Sequence, residues 1–414
     1  MSPVCKPGFN PNWYNLTMPP SPATASPAPA LQAWQVLLGG ICALVLTIGL
    51  ARFAYTPMLP QMHAQAGLGV ADGGLLAAIN YAGYMSGALL ASWVESPAWR
   101  HRLYSLGLPL ALLITALMGW SSSFGVWAVS RYLGGLCGAA GMLLGSGLVQ
   151  GWLIRAGRRP ELGLYFIGLG LGIVVSAVGA MGMSGLRLDW AAQWEGFALL
   201  GLAFLVPAWL WRPPVPPVGA KAAGGDAPNR RWMALMVAAY FCAGWGFVIN
   251  ATFTVAIVEK QPLLAGQGPW AWLLVGLAAT PAVFVWDRIA RRLGDVGALL
   301  LAFGVQIVGV LLPVLAHGLV AALAGALLYG ATFIGIVSLT LALVGRRSPA
   351  NPGKAMARLT LSYGVAQVSA PALTGRMVEA SGSFDAALWL TAGVLALGML
   401  CLASLPRDAR TPRA

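Results

Sequence analysis

Two arginines carry the strongest chemical signal in this chain. Arg52 lies in the first long apolar run, within Gly49-Leu50-Ala51-Arg52-Phe53-Ala54-Tyr55, and Arg131 lies in the fourth, ahead of Tyr132-Leu133-Gly134-Gly135. A guanidinium at the centre of a bilayer costs about 2.5–3.5 kcal/mol on insertion scales, so it persists where it meets a wet cavity, a partner or a ligand. It keeps its charge, and its planar fork fits a carboxylate or phosphate through two parallel hydrogen bonds. All 12 acidic residues fall at the ends of apolar runs or between them. Two fixed positive charges with no acid inside to neutralise them favour an anionic ligand. For Arg52 a second reading stands beside this one, in which the side chain snorkels to the outer interface near Pro57.

Polar and aromatic groups at helical spacing supply the rest of a cavity. Tyr55 follows Arg52 in the first run, and Asn80, Tyr81 and Tyr84 lie along the second. Tyr81 and Tyr84 are three apart and share one helix face. In the second half the candidates are Asn250, Thr252, Thr332, and the i, i+4 pair Tyr363 and Gln367. Each has a blander reading as interhelical hydrogen-bond glue, worth about 0.6 kcal/mol. Glu259 and Glu379, near outer helix ends, come closest to a buried proton relay, against a solvated helix terminus as the alternative. His63, His101 and His317 belong to the surface.

Other chemistry is poorly served. The five cysteines are scattered, with no CxxC or metal-ligand spacing. Gly168, Gly170 and Gly172 form G-x-G-x-G on an apolar helix, without the preceding strand that a nucleotide-binding loop requires. There is no Walker A motif, and no nucleophile, metal cluster or carboxylate pair within the apolar runs. Neither an enzyme nor an ATP-driven pump is expected, and no cofactor or metal is called for.

The elements that position these residues follow from composition. Of the 414 residues, 58% are hydrophobic and 9% charged, far below the roughly 25% charged residues of a soluble domain. The bilayer therefore serves as solvent. The net charge of +13 does not mark a nucleic-acid binder, because the Lys and Arg sit in short clusters between apolar stretches. Crossing hydrocarbon takes about 20 apolar residues. Candidate spans lie near 34–56, 73–94, 103–120, 124–153, 162–185 and 194–211, then near 232–257, 270–286, 296–316, 318–344, 359–379 and 385–405. A Pro-rich tail over 1–33, expected to be disordered and cytoplasmic, precedes the first half at 34–211. A cytoplasmic linker at 212–231 joins it to the second half at 232–405, and a short cytoplasmic tail covers 406–414. Most of the 25 basic residues fall on the side of the two tails, among them Arg100, Arg155, Arg230, Arg288 and Arg346. The positive-inside bias puts both termini in the cytoplasm.

Local motifs carry a resemblance. The stretch Asp287-Arg288-Ile289-Ala290-Arg291-Arg292 resembles the D-R-x-x-R-R cytoplasmic loop of the major facilitator superfamily. Its first-half counterpart, Glu95-Ser96-Pro97-Ala98-Trp99-Arg100-His101-Arg102, is degenerate, and Arg131 through Gly135 resembles the R-x-x-x-G pattern of the fourth span. The first-span stretch Gly49 to Pro60, with Asn80 to Leu89 and Gly244-Trp245-Gly246, is similar to the YbfB/YjiJ-type branch of that superfamily. The resemblance implies an all-α membrane protein with two six-helix bundles that work by alternating access around a central cavity. It implies a monomeric secondary transporter of a bacterial inner membrane, driven by an ion gradient, moving a small organic solute. Asp287, Arg288, Arg291 and Arg292 would then form the cytoplasmic gate. Arg131 has two readings, as a substrate contact or as a structural or coupling residue bonded to helix carbonyls. Drug-exporting relatives tend to carry an acid near Arg52, so the cation there leans the substrate toward an organic anion. Export of a hydrophobic or drug-like compound is the alternative.

Overall fold

No water reaches the backbone inside a bilayer, so an apolar run has to close its hydrogen bonds within itself, and a helix does so. The computed structural model describes residues 31–158, 162–215, 229–261, 264–316, 318–348 and 352–405, and among them there are helices and no strand. Residues 1–30 of the N-terminal tail, 216–228 of the linker, and the tail 406–414 lie outside the described residues.

The helices are α1 (Ala33–Ala66), α2 (Val70–Trp93), α3 (Pro97–Trp120), α4 (Phe124–Arg155), α5 (Leu162–Gly185) and α6 (Trp190–Leu210). After the linker come α7 (Arg230–Glu259), α8 (Gly268–Leu315), α9 (Leu319–Arg347), α10 (Pro352–Ser381) and α11 (Asp385–Ala403). Among the described residues, 10 helices are long and apolar enough to cross a membrane. Helix α10 is the exception. It is 30 residues long but carries Lys354, Arg358, Arg376 and Glu379.

Helix α8 differs from the sequence reading. Its 48 residues would reach about 72 Å, more than twice the hydrocarbon thickness of about 30 Å. It is two helices meeting at Gly294, whose φ of 73° and ψ of 163° break the helical path. That left-handed backbone costs glycine little and would strain a residue with a Cβ. A loop is expected over 287–295, yet the polar stretch stays helical up to this glycine. Arg291 pairs with Asp287 one turn back at 2.8 Å, an i, i+4 contact that supports the helix. Just past the break, Asp295 accepts from Arg346 at 2.6 Å and ties the second arm of α8 to the end of α9.

Helices before and after the linker meet along three lines. Helix α2 runs against α10, α5 against α8, and the C-terminal part of α1 against α7. At the second line Trp272 Nε1 donates to Ser176 Oγ at 3.0 Å. One turn on is Gly276, where a Cβ would stand 2.7 Å from the Val174 nitrogen. At the third, the Thr56 hydroxyl donates to the Ala251 carbonyl. These lines bring Arg52, Tyr81 and the face of α7 around Phe247 to one place.

Candidate solute site

Arg52 projects from an irregular stretch of α1. Residues Val45–Phe53 form a π-helical segment, in which the Ala54 N–H reaches back five residues to the Gly49 carbonyl at 2.9 Å. A second π segment, Ala140–Gly145, interrupts α4. Such widened turns are rare and concentrate at functional sites.

The Arg52 side chain is 6% exposed. Its guanidinium carbon stands 4.3 Å from the Tyr81 ring centre and 4.9 Å from that of Tyr84. Both contacts are cation–π pairs, which strengthen when desolvated. Among the described residues the guanidinium donates no hydrogen bond, and its buried Nε has no partner. Five donors are thus held in place by aromatic rings and left for something else to satisfy. The snorkelling reading of Arg52 does not hold, since the side chain is buried against α2.

Arg131 is held differently. Its Nη1 donates to the Ala51 carbonyl at 3.2 Å and the Arg52 carbonyl at 3.4 Å, and its guanidinium carbon lies 4.3 Å from the Tyr55 ring centre. The hydroxyl of Tyr55 is fixed by the Gly73 carbonyl at 2.9 Å. Asn80 Nδ2 donates to the Arg131 backbone carbonyl at 2.7 Å, and Tyr84 reaches Met142 Sδ at 3.3 Å. Arg52, Tyr55, Asn80, Tyr81, Tyr84 and Arg131 therefore form one cluster. Within it Arg131 matches the structural alternative, bonded to helix carbonyls through Nη1 although its own buried Nε has no partner, while Arg52 donates no hydrogen bond among the described residues.

The second-half candidates are less uniform. Tyr363 joins the aromatic side of this cluster, because its ring lies 5.9 Å from Phe247, which meets Tyr81 edge to face at 6.3 Å. Asn250 and Thr332 turn back on their own helices, to Gly246 at 3.3 Å and to Leu328 at 2.8 Å. Thr252 and Gln367 are buried and make no side-chain hydrogen bond among the described residues. The gate candidates Asp287, Arg288, Arg291 and Arg292 stand at the far end of the first arm of α8, with the three arginines exposed. Glu259 serves as a loop cap, accepting from the Gly266 and Gly268 nitrogens at 2.7 and 2.9 Å. Glu379 is exposed.

Sequence reading missed most of the aromatic wall. Phe247 also packs on Phe333 at 5.3 Å, Phe333 stacks on Tyr329 at 5.2 Å, and Tyr363 meets Tyr240 at 4.5 Å. Spacing held a signal, since Tyr240 and Phe247 are seven apart and Tyr329 and Phe333 four apart, each pair on one face. Aromatic residues on an apolar helix do not otherwise stand out.

Comparison with known proteins bears on the family and the fold. The family described as "Uncharacterised MFS-type transporter YbfB", MFS being the major facilitator superfamily, matches residues 44–403. An uncharacterized transporter of Schizosaccharomyces pombe, mfc1, is 25% identical over 149 residues, 36% of this chain and 30% of that protein's length. Among solved structures, a mutant of the nucleoside transporter NupG superposes with a TM-score of 0.72 at 14% identity, over 90% of this chain and 99% of that one. A bacterial homologue of the human lysosomal transporter Spinster, inward-facing and unoccupied, gives 0.61 at 16% identity, over 92% and 99%. The human organic anion transporter MFSD10 gives 0.60 at 16% identity, over 89% and 97%. At these identities the solved structures share the fold, and the match over residues 44–403 carries the assignment: the chain belongs to the YbfB-type family of major facilitator superfamily transporters.

Proposed function

We propose that this protein is a secondary active transporter that carries a small organic anion across a bacterial inner membrane by alternating access. The observation that carries this reading is Arg52, a buried guanidinium braced by Tyr81 and Tyr84 whose donors meet no acceptor among the described residues. A carboxylate or phosphate fits that fork in two-point fashion. The neighbours named for nucleosides and for organic anions share only the fold, so the lean toward an anion rests on Arg52.

In this reading the chain crosses the membrane twelve times, with α8 crossing twice about Gly294 and α10 crossing once. Helices α1–α6 form one bundle (34–211) and α7–α11 the other (232–405), and both termini are cytoplasmic. The two bundles rock about the α2–α10 and α5–α8 lines. Asp287, Arg288, Arg291 and Arg292 form the inner gate. The protein works as a monomer and draws on an ion gradient, without cofactor or catalysis.

The aromatic wall around Phe247 favours a second reading, export of a lipophilic or drug-like compound. Uptake into proteoliposomes separates the two. Accumulation of one class of organic anion, abolished in Arg52→Gln, supports the anion carrier. Transport confined to cations or neutral lipophiles, unchanged in Arg52→Gln, overturns it in favour of export.

A further inference from the structure

We infer that the anion recognised at Arg52 bears a flat aromatic ring, seated between Tyr81 on one side and Phe247 with Tyr363 on the other. This deepens the reading of Arg52 as the anion contact and rests on it.

The guanidinium does not stand alone in an apolar pocket. Tyr81 lies against it at 4.3 Å, and its ring meets that of Phe247 between α2 and α7, with the ring planes at 88°. Behind Phe247 stand Phe333 at 5.3 Å and Tyr363 at 5.9 Å, from α9 and α10. Four helices thus deliver aromatic faces to the flank of one unsatisfied cation. Leucine or valine would fill the same volume for a purely aliphatic solute.

Aromatic cages alone suit organic cations, because the ring faces are negative. Here the sign is reversed. Arg52 and Arg131 both lie in the cluster, and among the described residues neither guanidinium pairs with a carboxylate. An aromatic cation would face two uncompensated guanidinia, whereas an aromatic anion satisfies the fork and keeps the ring contacts.

A ring that parts Tyr81 from Phe247 replaces one edge-to-face contact with two. Each such contact is worth about two- to tenfold in affinity beyond burial alone. An aliphatic anion of equal size gains the charge contact and loses this increment. Discrimination between the two is therefore the signature of the wall, and dependence on charge is the signature of Arg52.

The test uses the purified full-length protein and four probes read by calorimetry. Benzoate, or naphthoate for a longer cavity, offers ring and charge. Cyclohexanecarboxylate offers charge without a ring face, benzamide a ring without charge, and benzyltrimethylammonium a ring with the opposite charge. The aromatic carboxylates are expected to bind about tenfold tighter than cyclohexanecarboxylate, and the other two probes not to bind up to about 10 mM. Phe247→Leu should erase the tenfold preference, weakening the aromatic carboxylates more than cyclohexanecarboxylate. Tyr363→Leu provides the same reading should Phe247→Leu fail to fold, and Arg52→Gln should weaken both carboxylates. Equal binding of the aromatic and saturated carboxylates, or a preference that survives both wall variants, overturns the aromatic inference and leaves the anion site standing. Binding of benzamide or the cation as tightly as benzoate, unaffected by Arg52→Gln, overturns the anion reading itself. Failure of every aromatic carboxylate to bind at about 10 mM also overturns the inference.

Discussion

Arg131 donates to the backbone carbonyl of Arg52 at 3.4 Å, so one buried guanidinium holds the segment from which the other projects. On the proposed reading the two arginines have different jobs. Hydrogen bonds to a charged group contribute about 1.5–3 kcal/mol, and an acceptor stripped of its donor in an apolar interior costs more than the bond was worth. Arg131→Gln is expected to lower the unfolding midpoint of the purified protein clearly. Arg131→Lys should fall between the two, because an ammonium cannot bond two carbonyls and stack on Tyr55 as a guanidinium does. Fluorescence-monitored melting checks the order, and a Lys variant less stable than the Gln variant would contradict it.

Arg52→Gln should behave in the opposite way. Removing its guanidinium strands no acceptor, and only the ring contacts with Phe53, Tyr81 and Tyr84 are lost. The midpoint is expected to stay near that of the wild type while solute binding falls by about tenfold or more, the loss of one charge-assisted contact. Measuring melting and binding on the same sample separates the two arginines. A large fall in stability with binding intact would place Arg52 among the structural residues instead.

Much of this was legible in the sequence. Apolar runs of spanning length separated by arginine clusters reflect what a bilayer demands, and they located ten helices directly. Both arginines stood out because a charge inside an apolar run is costly. The partners of Arg131 did not, because Ala51 and Arg52 are some eighty residues away and offer only backbone carbonyls. The π segment that carries Arg52 left no periodic trace over nine residues. The turn at Gly294 was hidden for another reason, since one left-handed glycine does the work of the expected polar loop. Phe247 was invisible because a phenylalanine on an apolar helix reads as core until its neighbours from α2, α9 and α10 are known.

Glu259 illustrates how a loop bond gives a structural role to a residue that sequence left between two readings. Its two oxygens accept from the Gly266 and Gly268 nitrogens at 2.7 and 2.9 Å, closing the turn between α7 and α8. Glu259→Ala is expected to destabilise the protein by about 1–3 kcal/mol, the usual loss for two backbone donors left unmet. Glu259→Gln keeps one acceptor and should lose less. If the residue were a proton relay, Glu259→Gln would shift the pH profile of transport, and the expected result is a profile that does not move.

The α5–α8 line predicts a steric limit. A Cβ on Gly276 would stand 2.7 Å from the Val174 nitrogen and 3.0 Å from the Gly170 carbonyl oxygen, and both are backbone atoms that cannot rotate aside. Gly276→Leu should force the helices apart at a cost of about 1–3 kcal/mol, seen as a lower melting midpoint. Gly304 has open space around its Cβ position, and Gly304→Leu in the first turns of the second α8 arm serves as the control that should melt close to the wild type. Equal effects at both sites would mean that the α5–α8 contact is looser than these distances require.

The Asp287–Arg291 and Asp295–Arg346 pairs of α8 should part company in the same way. Asp287 and Arg291 are one turn apart and exposed, at 41% and 69% of their side chains, and pairs of that kind are worth about 0.3–0.5 kcal/mol. Asp295 is 11% exposed and holds Arg346 of another helix at 2.6 Å. Asp295→Asn leaves the arginine without its charge partner at a half-buried site, and a loss of about 1–3 kcal/mol is expected. Asp287→Asn should leave the melting midpoint nearly unchanged. Under the gate reading it should instead change the rate of transport, because an inner lock acts on the balance between states and not on the packing of one bundle. Parallel melting and proteoliposome flux on the two variants test this. A stable Asp295→Asn would assign the pair to the exposed class, and an Asp287→Asn with wild-type flux would remove that residue from the gate.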